Sequence, residues 1–88
     1  MARFALGRLV ITSNACGLLN RIDVSRCLIR HMNGDWGELC AEDKAENEFS
    51  LEKGFRILSS YRDRNSIGFW IITEADRSAT TILLPDDY

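Results

Sequence analysis

Ile67-Gly68-Phe69-Trp70-Ile71-Ile72-Thr73 is the densest β-forming run in this 88-residue chain. Six of its seven residues are β-branched or aromatic, the types that fit a pleated, packed surface. It has no strict alternation of apolar and polar residues, so it predicts a strand interior to a sheet. Asp63-Arg64-Asn65-Ser66 precedes it and Glu74 to Ser78 follows it. Both stretches are polar and turn-forming. Beyond these turns lie two further strands. Phe55 to Arg62 alternates, with Phe55, Ile57, Ser59 and Tyr61 on one side. Ala79 to Leu84 ends at Pro85, which cannot donate to a ladder.

Upstream of these strands the period changes. Leu6 to Thr12 reads as a first strand, and a short helical piece covers Ala15 to Asn20. Asp23 is placed to cap a helix whose Val24, Cys27, Leu28, His31 and Met32 fall on one face. Asn33-Gly34 ends it, because both residues tolerate the left-handed conformation. A further helix is expected from Ala41 to Lys53. Glu42 and Asp43 suit its first turn, and Gly54 is its C-cap. Ala41, Ala45 and Phe49, spaced i, i+4, i+8, are its expected core stripe. The resulting fold class is α+β: a small, mainly antiparallel four-stranded sheet with two helices on one face, in the order β-α-α-β-β-β. The core pairs the central strand with Val24, Leu28, Met32, Ala45 and Phe49.

The length is that of one domain, residues 1–88, which buries roughly 60–65% of its unfolded surface. With 45% hydrophobic and 27% charged residues, the chain can form a core and is not a disordered tail. The net charge of −2 argues against a general nucleic-acid or membrane binder, since phosphates call for a basic excess. Residues 1–34 balance at +4, residues 35–52 at −6 and residues 53–88 at zero. Such segregation either draws the fold together or presents two faces to partners. Phe4 to Ile11 is too short and too interrupted to be a signal peptide or a membrane span. Cys16, Cys27 and Cys40 are an odd set, expected as reduced thiols in a cytoplasmic protein.

Candidate chemistry is sparse. Cys27 and His31, four apart on a helix, can reach one zinc ion with Cys40 and Cys16. There is no CxxC pair, however, and Cys27 is expected in the core with His31 at a favourable helix end. No phosphate loop, dinucleotide fingerprint or nucleophile elbow is present, so neither catalytic residues nor a cofactor are assigned. Two constellations stand out as binding features. Trp36, between Gly34 and Gly37, is expected to project from an open loop or to plug the core between the helices. Asp35, Glu38, Glu42, Asp43 and Glu46 beside it form an acidic surface suited to a basic protein partner.

Dense motifs between Arg30 and Tyr88 carry a resemblance. They include Gly34-Asp35-Trp36-Gly37-Glu38-Leu39, Trp70-Ile71-Ile72-Thr73-Glu74-Ala75-Asp76-Arg77-Ser78, Thr80-Thr81-Ile82-Leu83-Leu84-Pro85 and Tyr88. About two-thirds of the chain resembles a family of small bacterial proteins of plasmids, phages and integrated elements, some bearing a restriction-subunit label. A methyltransferase needs a cofactor domain that 88 residues cannot hold beside a recognition part. The resemblance therefore implies a non-catalytic interaction module of a mobile element that binds or inhibits a host or defence complex. The element order is also that of small ribonuclease toxins of the RelE and ParE type. In that alternative Arg56, Arg62 and Arg77 would bind phosphate, with Tyr88 nearby.

Overall fold

A computed structural model describes residues 2–88. The elements are β1 (Arg8–Ile11), α1 (Ser13–Leu18), α2 (Arg21–Met32), α3 (Ala41–Lys53), β2 (Ile57–Arg62), β3 (Gly68–Thr73) and β4 (Ala79–Leu83), followed by a 3-10 turn over Pro85–Asp87. The α+β class and the mainly antiparallel four-stranded sheet are as expected. The strand order is β1-β4-β3-β2, with β3 interior. β2-β3 and β3-β4 are antiparallel, whereas β1 runs parallel to β4. Three helices and two strands lie between β1 and β4 in sequence, so no tight hairpin joins the pair and the long connection permits a parallel crossover.

The short helical piece extends back to Ser13, because the Thr12 hydroxyl accepts the Ala15 amide and caps it. α2 starts earlier than expected. Asn20, not Asp23, is its N-cap, accepting the Asp23 amide at 3.1 Å. Asp23 instead takes the Arg64 side chain and amide from across the fold. α1 and α2 cover one sheet face, where Ala15, Leu19, Val24 and Cys27 meet Tyr61, Phe69, Ile71 and Ile82.

α3 has the bounds expected of it, and Gly54 caps it in the left-handed conformation. Its packing is a correction. Ala45 and Phe49 face solvent, and Asn47 and Ser50 are the buried residues. The helix lies along β2, the sheet's edge strand. There the Asn47 side chain donates to Leu58 O at 2.7 Å and accepts Leu58 N–H at 3.2 Å. An amide that can both give and take replaces the missing neighbour strand, so the inward side of α3 is polar. Farther along the same edge, Glu38 N–H donates to Ser60 O and Ser60 N–H to Trp36 O. Gly37 permits this approach. A Cβ there would run into the Ser60 carbonyl oxygen and the Tyr61 ring.

Candidate interaction surface

Trp36 does not project. It is 4% exposed, with Phe4 stacked at 6.2 Å and His31 edge-on at 6.0 Å between ring centroids. Its indole N–H donates to Glu48 at 2.9 Å, and Arg3 holds the same carboxylate at 2.8 Å. Arg3, then Trp36, hold the Glu48 carboxyl below the ordinary range. Gly37 thus lets the loop dock onto β2 rather than leave the tryptophan loose.

The other expected binding residues divide. Asp35 pairs with Arg30 at 2.8 Å and also accepts the Gly37 amide, so its carboxyl titrates low. Glu38 pairs with Arg62 at 3.1 Å. Glu42, Asp43 and Glu46 are exposed on α3 and make no salt bridge among the described residues. Asp43 and Glu46 line a surface depression with Leu39, Asn47 and Leu58.

The aromatic group beside these carboxylates is a different one. Phe49 is 46% exposed and Phe55 52% exposed, with their ring centroids 5.8 Å apart. Glu46 and Glu52 stand three residues before and after Phe49, which makes them its neighbours on the helix surface. The signal for this was present in the sequence. Asn47 and Ser50 can satisfy a strand edge, and placing them inward turns Phe49 out.

His31 is a second correction. It lies in the last turn of α2 but is fully buried. Burial, and secondarily the charge of Arg77, lower its pKa to about 4, so it is neutral and contributes no charge to the helix end. Its ring closes a chain of hydroxyls. The Leu6 carbonyl can only accept, so Thr80 donates to it at 2.7 Å. Thr73 then donates to Thr80 at 2.7 Å. Nε2–H of His31 must donate to Thr73 at 2.8 Å, which leaves Nδ1 bare to accept the Ser59 hydroxyl at 2.5 Å. The Ser59–His31 pair has the spacing of a nucleophile and base, but both residues are fully buried and no substrate reaches them. Both ring nitrogens are committed to hydroxyls rather than left to join Cys27 on a metal. Cys27 is buried, as expected, while Cys16 and Cys40 are exposed.

The arginines of the toxin alternative do not converge. Arg77 donates to the carbonyls of Phe55, Glu74, Ala75 and Ser50 and ties α3's end to the β3-β4 turn. Arg62 faces Glu38. Arg56 lies over the Tyr88 ring at 5.5 Å. Tyr88 in turn meets Trp70 edge-on at 5.8 Å, on the sheet face away from α1 and α2. Trp70 is therefore half-buried there rather than in the main core.

No helix is long and apolar enough to cross a membrane among the described residues. No family model, no curated protein and no solved structure matches the chain.

Proposed function

We propose that this domain is a non-catalytic interaction module that binds a basic protein surface through the outer face of α3. The supporting observation is the exposed Phe49–Phe55 pair with Glu46 and Glu52 as helix-surface neighbours and Glu42 two turns back on the same face. Aromatic anchors supply most of the binding free energy at such surfaces, because they bury large areas with few rotatable bonds. The surrounding carboxylates speed encounter with a cationic partner and disfavour anionic ones. Lys44 and Lys53 lie on the same helix, so the face has a mixed margin and a net negative charge. The resemblance to mobile-element proteins makes the partner a host or defence complex of the bacterial cytoplasm, bound at a surface that otherwise holds nucleic acid.

Affinity capture from a bacterial lysate tests the proposal with Glu42→Lys/Glu46→Lys as the variant. Wild type retains a basic partner and releases it as salt is raised. The folded charge-reversal variant loses it. Recovery of the same partner by both proteins, with the same salt dependence, would count against an acidic docking face.

A further inference from the structure

A run of exposed apolar residues lies at the opposite edge of the sheet from α3. β1 is an edge strand, with Leu9 54%, Val10 42% and Ile11 40% exposed. Cys16 of α1 and Arg21 and Ser25 of α2 stand across from it. Between β1 and these helices runs a groove of about 330 Å³ with Leu9, Ile11, Leu19 and Val24 in its walls. Exposed apolar edge strands are templates for pairing, and single-chain proteins ordinarily blunt them with charge, proline or a bulge. Here Arg8 is the one charged residue of the strand, and Leu9, Val10 and Ile11 after it carry neither charge nor proline.

The backbone says which groups are free. Arg8 N–H donates to Ser78 O at 2.9 Å and Thr12 N–H to Ile82 O at 3.0 Å. Arg8, Val10 and Thr12 therefore turn their peptide groups toward β4. Leu9 and Ile11 turn theirs outward. In an antiparallel pair, residues that exchange both hydrogen bonds alternate with residues that exchange none.

The edge is also polar end to end in charge. Arg8 opens it and makes no salt bridge among the described residues. Because β1 is parallel to β4, its other end adjoins the chain's closing turn, where Thr12 donates to Asp87 at 2.6 Å. Asp86 follows Pro85 in that turn.

We propose that β1 pairs antiparallel with β1 of a second copy, about a two-fold axis through Val10, to give a continuous eight-stranded sheet. Leu9 of each chain exchanges two backbone hydrogen bonds with Ile11 of the other, which satisfies the outward groups. Val10 faces its own copy as a close, non-hydrogen-bonded pair. Arg8 falls opposite Thr12 of the partner, on the same face, and so reaches the Asp87 carboxylate. The α1–α2 layers of both copies lie on one side of the joined sheet, so the two apolar grooves that hold Leu9, Ile11, Leu19 and Val24 adjoin across the axis. The contact is isologous and closes at two subunits. It leaves both α3 faces free and does not depend on their role.

Sedimentation of the purified protein from micromolar to millimolar concentration tests this. Wild type moves from 10.0 kDa toward twice that mass. Val10→Lys and Val10→Glu each set like charges against each other on the axis, and each weakens the dimer at least about tenfold. Because position 10 meets only itself, mixing the two variants restores a heterodimer. Arg8→Glu, on an exposed side chain that leaves folding intact, weakens the dimer about fivefold. Circular dichroism confirms that each variant is folded. A wild type that stays monomeric at millimolar concentration overturns the proposal. So do Val10 variants as dimeric as wild type, or a mixture that stays monomeric.

Discussion

Trp36 and Phe49 occupy opposite situations in this molecule, each the reverse of what local sequence suggests. Trp36 lies in a glycine-flanked loop among carboxylates, yet it is 4% exposed and hydrogen-bonded. Phe49 lies on a regular apolar spacing, yet it is 46% exposed. The cause is the free edge of β2, which has to be satisfied by something. The loop satisfies one part of it through Trp36 O and Glu38 N–H, and this draws the indole inward. Asn47 satisfies the other part, and this rotates Phe49 outward. Backbone hydrogen bonding decided which aromatic became core and which became surface.

That contrast can be broken most sharply by truncating the buried ring. Trp36→Ala should cost about 3–5 kcal/mol, from lost burial and the cavity left behind. A domain of this size has only about 5–10 kcal/mol in total, so urea unfolding should show a nearly lost native baseline. An effect below about 1 kcal/mol would mean that the indole is not packed as described.

Acid should act next most strongly, through the ring that packs against Trp36. His31 has a folded pKa of about 4 against an ordinary 6.5. The unfolded chain therefore takes up the proton first. Stability is complete above pH 6.5 and falls as pH drops toward 4, by about 3 kcal/mol from this residue. Protonation would also set an Nδ1–H against the Ser59 hydroxyl that now donates to it. Urea midpoints measured across that window should fall steeply for wild type and weakly for His31→Gln. Equal slopes would remove His31 from the account.

Smaller effects refine the loop's attachment. The Tyr61 hydroxyl donates to Asp35 O at 2.6 Å, and burial raises its pKa. Tyr61→Phe should cost about 1 kcal/mol, because it leaves a part-buried carbonyl without its donor. At the other extreme, Phe49→Ala should cost only about 0.5–1 kcal/mol, the loss of its contact with Phe55. Thermal melts compared with Trp36→Ala would show the asymmetry directly.

Much of this fold was legible in residue order. The dense run ending at Thr73 is the interior strand β3, because only a strand buried among neighbours favours so many β-branched and aromatic residues in succession. Gly34 and Gly54 take the left-handed conformation just past the ends of α2 and α3. The segregated charge does draw the fold together, through Arg3–Glu48 and Arg30–Asp35. The site was harder to read. A stripe of Ala41, Ala45 and Phe49 looks like a core face unless one knows that α3 lies against a strand edge, where Asn47 outcompetes a phenylalanine. His31 looked like a helix-end cation because its hydroxyl partners come from positions 59 and 73, far away in sequence.

The most direct measurement is the amount of partner retained by Phe49→Ala/Phe55→Ala relative to wild type, at equal folded concentration. If the outer face of α3 is the docking surface, removing both rings should weaken binding at least about tenfold, while the melting transition moves little. Full retention of the partner by the folded double variant would contradict the account.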